Sequence, residues 1–266
     1  MISVTSAQLD AWLAMFVFPA ARIMALLSAA PVFSNAALPM RTRLALGLAI
    51  TLALSPALPA PPPIAMGSWV GLAILAQQIL IGVLMGFALR LAFVAIDVAG
   101  ELIGLQMGLS FAVFYDPQNA GQTPVLTEFL GLFTTLIFLA MNGHLMALMA
   151  LSESFVLLPI GVEPPAAAGM TTLLTWSAVI FSSGLMLALP LIAALLIANL
   201  ALGVLARVAP QLNLFAVGFP VTIAVGFVVL LLSMPYFATA MEQLFHHGFR
   251  AMEQVLLSSG GALPSR

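Results

Sequence analysis

The sequence predicts an all-α membrane protein, and three observations carry the prediction. Hydrophobic residues make up 63% of the 266 and charged residues only 6%, where a soluble domain has roughly a quarter charged because its surface must be hydrated. Apolar runs near or beyond the roughly 20 residues that cross a bilayer recur along the whole chain. Those runs contain prolines and single polar residues, so bent and hairpinned helices are expected rather than uniform spans. In water such a surface would form one continuous sticky patch. Against lipid, or against equally apolar subunits, it is stable.

Element by element, six apolar runs stand out. Met1 to Asp10 has no basic residue, and the first arginine is Arg22. The pattern of a cleaved leader is missing, and the first run is expected to be a retained, self-inserting segment. That run, Leu9 to Phe33, is interrupted by Pro19 and Arg22. The second, Leu44 to Leu58, is short for a crossing and is closed by Pro56, Pro59 and the Pro61-Pro62-Pro63 triplet, which cannot continue a helix. The third, Trp69 to Ile96, carries Gln77, Gln78 and Arg90. A punctuated stretch, Asp97 to Gln122, follows. The fourth run, Val125 to Leu151, holds Glu128, Asn142 and His144, and a turn-rich connector, Ser152 to Gly169, comes after it. The fifth, Leu173 to Leu205, contains Pro190; the sixth, Leu212 to Phe245, contains Pro220 and Pro235. A weakly amphipathic tail, Leu244 to Leu257, ends the pattern.

Charge and chemistry exclude several classes. Seven basic residues, all arginine, against nine acidic ones leave a formal charge of −2, too small and dispersed for a nucleic-acid footprint. Without cysteine there is no disulfide framework and no thiolate ligand. No nucleophile elbow, zinc-protease helix, phosphate loop or dinucleotide turn is present, so neither catalytic residues, a metal site nor a cofactor is expected. Arg41, Arg43 and Arg207 place two connections on the cytoplasmic side. Arg250 and Arg266 then fall on the wrong side for six full crossings, which again argues against conventional spans.

Three features could carry function. Gly100, Gly104 and Gly108 recur every four residues, and Gly82 and Gly86 repeat the spacing. Such glycines let another backbone approach closely, either in routine helix packing or as the wall of an assembly or pore. The segment Leu109 to Gln122 combines Phe111, Phe114 and Tyr115 with Asp116-Pro117 and Gly121. Asp116-Pro117 should break a helix. Irregular backbone at membrane depth is tolerated only where protein buries it or water lines it. The segment therefore reads as a loop folded into an interior, or as an interfacial loop with its aromatics at headgroup level. The third feature is charge inside apolar runs: Arg22, Arg90, Asp97, Glu101, Glu128 and His144. Such residues mark functional sites by default, although Asp97 and Glu101 also fit one helix face near an interface.

Several stretches together resemble the flagellar biosynthetic FliR family, to which a virulence-type secretion subunit is related. They are RIMALLSAAPVFSNAALP at Arg22 to Pro39, QILIGVLMG at Gln78 to Gly86, and GELIGLQMGLSFAVFYDP at Gly100 to Pro117. Asn142-Gly143-His144, Leu158-Pro159-Ile160-Gly161 and NLALGVLARVAPQLNLFAVGFP at Asn199 to Pro220 complete the set. The resemblance implies a single-copy subunit of the type III export gate in the bacterial inner membrane, at the flagellar basal body. It implies assembly with FliP-like and FliQ-like chains into a helical channel, wrapped by an FlhB-like subunit and crossed by unfolded flagellar substrates. It also implies a FliP-like part over residues 1–170 and a FliQ-like hairpin with its tail over 171–266. The family's plug loop maps onto Leu109 to Gln122, with Leu109, Ser110, Phe111, Phe114, Tyr115, Asp116, Pro117 and Gly121 as gating positions. Arg90, Asp97, Glu101, Pro210, Gln211 and Asn213 are the accompanying polar or charged structural positions. A secondary transporter with helices broken at Pro190, Pro220 and Pro235 is the alternative from another class.

Overall fold

The computed structural model describes residues 6–59, 64, 65, 67–109, 124–209, 211 and 214–260. Among these residues every regular element is helical: α1 (Ser6–Ala29), α2 (Met40–Leu54), α3 (Trp69–Gln106), α4 (Val125–Ala140), α5 (Gly143–Leu157), α6 (Ala168–Trp176), α7 (Val179–Val208) and α8 (Leu214–Ser259), with a short 3-10 turn at Ser55–Ala57. The chain is an all-α membrane protein with bent helices, as its composition requires.

The apolar runs map onto these helices with corrections. Four stretches are long and apolar enough to cross a membrane, or five if the bent pair α4–α5 counts as one span; the sequence had suggested six. At 15 residues α2 is too short. α3 does not stop near Ile96 but runs 38 residues to Gln106, because Asp97 and Glu101 sit on its half-buried or exposed side and leave the core face apolar. The fourth run breaks at Asn142, whose left-handed backbone (φ 58°, ψ 30°) turns the chain by 64° between α4 and α5; asparagine is among the residues that tolerate this region. Helix α5 then extends to Leu157, so the connector shrinks to residues 158–167. The sixth run and the tail are one helix of 46 residues. Pro19, Pro190, Pro220 and Pro235 all lie inside helices. In apolar surroundings no water competes for the carbonyl that a proline frees four residues earlier, so the helix gains little by breaking there.

Packing divides the chain into two compact units. The first comprises Met1–Leu91, Asn142–Ser177 and His246–Arg266; the second comprises Ala92–Met141 and Ala178–Phe245. In the first unit α1 and α3 run parallel in a fixed register. Phe18 and Ala14 cluster with Ile74, Arg22 reaches Gln78, and Gly82 and Gly86 face Ala25 and Ala29. The N-terminal end of α6 closes on the last turn of α8, where the Ala166 amide donates to the Ser259 carbonyl at 2.7 Å. Gly169 lies so close to the Ser259 hydroxyl that no side chain would fit. The second unit is centred on three rings, Phe93, Phe138 and Phe245, with centroids 5.0 to 5.5 Å apart, the tilted and edge-on geometry that aromatic quadrupoles favour. Around it, Gly184 meets the Ala95 carbonyl, Gly226 receives Met107, and Gly100 meets the Thr127 backbone.

Candidate functional site

Helix α3 ends in a six-to-one and five-to-two hydrogen-bond pair. The Leu109 amide donates to the Gly104 carbonyl and the Gly108 amide to that of Leu105, both at 3.0 Å. Gly108 occupies the left-handed position between them, at φ 81°. This is a Schellman cap, and it needs a residue without a Cβ penalty. Gly108 therefore stands just beyond α3 and directs the chain out of it. Gly108→Ala is expected to cost about 1 kcal/mol and to fray the last turn of α3. Hydrogen exchange at the Leu109 amide would read this out; unchanged protection there would contradict it.

Beyond Leu109, the positions Ser110, Phe111, Phe114, Tyr115, Asp116, Pro117 and Gly121 lie outside the described residues, as do Pro210 and Asn213. The two ends that flank the loop are described. Leu109 and Val125 line the same apolar cavity of about 400 Å³ in the second unit, together with Phe129, Phe227, Leu231 and Met234. A neighbouring recess of about 340 Å³ is more polar, with Gln106, Asn199 and Thr222 set among Gly108, Gly203 and Gly218.

The glycines that share one spacing occupy different surroundings. A Cβ on Gly82 would run into the Arg22 carbonyl and stand 2.7 Å from the Ala25 Cβ. On Gly86 it would stand 2.8 Å from the Ala30 amide nitrogen. On Gly100 it would stand 2.8 Å from the Thr127 Cα. On Gly104 it would find only the Leu126 Cβ at 4.0 Å, an ordinary contact. Of the charged positions, Arg90 and Glu101 are exposed and Asp97 is half-buried, its carboxylate beside Gly131. Gln211 is exposed in the turn before α8.

Arg22 organises the first unit. Although charged, it is fully buried. Its Nε donates to Gln78 Oε1 at 2.8 Å. Nη1 donates to the Ser154 carbonyl at 2.8 Å and to its hydroxyl at 3.1 Å, and Nη2 to the Leu158 carbonyl at 2.8 Å. The guanidinium also lies 4.2 Å from the centroid of the Phe155 ring. Ser154 and Leu158 are the last-turn and C-cap residues of α5, where the helix dipole is negative, and the Ser154 carbonyl also accepts from the Leu158 amide at 2.9 Å. The cation thus meets a helix C-terminus and an aromatic face instead of a carboxylate. Arg22 is visible in the sequence as a lone charge in an apolar run. Gln78, Ser154, Phe155 and Leu158 as its partners are not, being 56 to 136 residues away in the chain.

No group of three His, Asp or Glu residues that could hold a metal exists among the described residues. The His144 Nδ1 is buried without a hydrogen-bond partner, which gives it no ligand set.

Such a fold defines a class: a helical membrane protein with polar and glycine-lined packing devices and no catalytic constellation among its described residues. The sequence profile of bacterial export proteins, family 1, matches residues 13–248, and the chain belongs to that family. It is 44% identical to the flagellar biosynthetic protein FliR of Escherichia coli (strain K12) over 256 residues, covering 96% of this chain and 98% of that protein. It is 45% identical to the FliR of Pectobacterium carotovorum subsp. carotovorum over 259 residues, with the same coverage. It is 33% identical to the FliR of Aquifex aeolicus (strain VF5) over 238 residues, covering 89% of this chain and 92% of that protein. The chain is accordingly a membrane-associated member of the flagellar biosynthesis and protein export machinery, and the relatives it resembles are export and biosynthesis proteins.

Proposed function

We propose that the chain is a subunit of the flagellar type III export gate in the bacterial inner membrane. It forms part of the channel with FliP-like and FliQ-like chains, next to an FlhB-like subunit, and unfolded flagellar proteins pass through it. Residues 1–170 supply the FliP-like part and residues 171–266 the FliQ-like hairpin. Residues Leu109 to Gln122 form a plug whose Phe111, Phe114 and Tyr115 close the path by excluding water.

The observation that carries this reading is how little of α7 and α8 the chain covers by itself. Only 22% of the apolar 18-residue stretch within Ala168–Val208 and 17% of that within Val217–Ser259 are buried, against 61% of that within Trp69–Gln106. Phe181, Ile197, Leu200, Leu231 and Leu232 are among the large side chains left exposed. Lipid or equally apolar subunits would cover apolar area on this scale, and in a protein of the export family we read it as a seat for neighbouring subunits. The apolar cavity that receives both Leu109 and Val125 supports an inward course for the loop between them. It gives that loop an apolar setting where it leaves and rejoins the fold.

Affinity purification of the tagged chain tests the assembly: FliP-like and FliQ-like chains should co-purify. A well-behaved isolated monomer that binds a small solute would overturn it in favour of a transporter. For the plug, Phe111→Ser and Phe114→Ser should each raise the ion leak of cells several-fold while the gate still assembles. Unchanged conductance in both variants would remove the apolar seal.

A further inference from the structure

Three consecutive residues decide where the chain leaves α3. Gly108 turns it through the left-handed cap, and Leu109 enters the apolar cavity against Phe227, Leu230 and Leu231 of α8. Met107, just before the turn, still donates its amide to the Ile103 carbonyl at 2.9 Å and is fully buried. Its side chain lies across α8 at Gly226. A Cβ on Gly226 would stand 2.6 Å from the Met107 Cε, 2.7 Å from its Cγ and 2.8 Å from its Sδ. The thioether therefore occupies the space that any other residue at 226 would fill. Gly226 and Leu230 are buried, whereas Ala224, Phe227 and Val228 between and beside them are exposed. All of these residues belong to the second compact unit.

The contact is tight at one point and open on both sides. Toward the start of α8, Gly218 and Thr222 line the polar recess of about 340 Å³, to which Met107 also contributes. Toward its end, Phe227, Leu230, Leu231 and Met234 line the apolar cavity of about 400 Å³. Gly226 falls between these two sets along the helix. Methionine is unbranched and repacks readily, so a displaced Met107 has room on either side. Other close-packed glycines of this unit have no such outlet. A Cβ on Gly184 would stand 2.8 Å from the Ala95 carbonyl oxygen, and one on Gly100 2.8 Å from the Thr127 Cα. Those are backbone atoms, and only separation of the helices relieves such overpacking. At Gly226 the clash includes the Met107 Cγ, so bending the tip is not enough. The whole side chain must swing about its first torsion, or the cap must move with it. Either way the unit keeps its fold while the exit from α3 shifts.

We propose that Met107, seated on Gly226, sets the point at which the chain leaves α3, and that both are positioning residues for closure of the export gate. This inference rests on the gate reading above, in which the closing segment follows Leu109.

The chain has no cysteine, so the pair Met107→Cys and Gly226→Cys tests the seat directly. A sulfur at position 107 takes the place of the Met107 Cγ, 2.7 Å from the Cβ position at 226, within the geometry of a disulfide. Oxidation by copper phenanthroline in air should join the two thiols within one chain and abolish their reaction with maleimide. Thiols that stay free would overturn the seat. In cells that carry the whole export machinery, Gly226→Ala should raise the ion leak several-fold. Co-purification of FliP-like chains should persist, with the melting temperature in detergent close to that of the parent. Gly184→Ala should do the reverse, melting lower with a parental leak. A parental leak in an assembled Gly226→Ala gate would overturn the proposal. So would equal leaks in the two variants at equal loss of melting temperature, since general loosening would then explain both. If Gly226→Ala does not accumulate, Met107→Ala empties the seat without a clash and should also leak. Adding Gly226→Ala to it should change the leak no further, because the methyl then has no thioether to displace; additive leaks would overturn the coupling. A parent chain that recruits no FliP-like partner sinks the gate reading. A tight Gly226→Ala gate beside a leaky Phe111→Ser gate sinks this inference alone.

Discussion

Arg22→Met is expected to lose about 3–5 kcal/mol of stability, the usual cost of removing one side of a buried, hydrogen-bonded charged group. The loss arises from what stays behind. The carbonyls of Ser154 and Leu158 and the Gln78 Oε1 all accept from the guanidinium, and a methionine offers none of them a donor. The Gln78 Nε2 already has no partner, so the variant would leave that whole amide buried and unpaired. Interhelical hydrogen bonds between neutral groups in membrane proteins average only about 0.6 kcal/mol, and a neutral node of this size would be a minor feature. This node is different because one cation serves two carbonyls at a helix C-terminus, that of Leu158 and that of Ser154, the latter also accepting from the Leu158 amide at 2.9 Å. With total stabilities of about 5–15 kcal/mol, the variant should largely disappear from membranes. Arg22→Lys keeps the charge but replaces a planar fork by a single ammonium. It cannot serve Gln78, Ser154 and Leu158 together, so its melting temperature in detergent should fall between those of the parent and Arg22→Met. Equal melting of parent and Arg22→Met would show that the node contributes nothing.

The composition makes the helical, lipid-compatible character legible because it follows from a bulk quantity, the shortage of charge. Element boundaries were harder, and the failures have physical causes. Proline is a helix breaker in water, where a freed carbonyl is solvated; Pro220 and Pro235 sit inside one helix whose surroundings offer no water to stabilise a break. The end of α3 could be anticipated from Gly108 only with knowledge that the φ there is positive, which spacing does not encode. Spacing also makes Gly82 and Gly104 look alike, yet a Cβ on the first would meet backbone and on the second only the Leu126 Cβ at 4.0 Å. Above all, a lone arginine in an apolar run announces that it has partners without saying which. Its acceptors at Ser154 and Leu158 are fixed by tertiary packing, 132 and 136 residues away.

Gly82→Ala and Gly203→Ala should separate packing within the chain from packing between chains. At Gly82 the added methyl would meet the Arg22 carbonyl, the Ala25 Cβ at 2.7 Å and the Leu26 amide nitrogen at 3.0 Å. Two of these are backbone atoms of α1, so no rotamer change relieves the clash and the two helices must move apart. Overpacking of this kind costs about 1–3 kcal/mol, which outweighs the gain of about 1 kcal/mol in helix propensity from glycine to alanine. Because the displaced carbonyl belongs to Arg22 itself, the loss should be less than additive with Arg22→Met, as expected for residues that share partners. At Gly203 a Cβ meets nothing within 4 Å, so the propensity gain stands alone and the isolated chain should melt at the same or a slightly higher temperature. If the exposed side of α7 seats against a neighbouring subunit, the same substitution should reduce co-purification with FliQ-like chains while the fold survives. Gly82→Ala should do the reverse in detergent, lowering the melting temperature before any partner is added. A Gly82→Ala chain that melts like the parent would show that α1 and α3 are not held at the separation described here. A Gly203→Ala chain that assembles normally would place the subunit contact on another face of the helix.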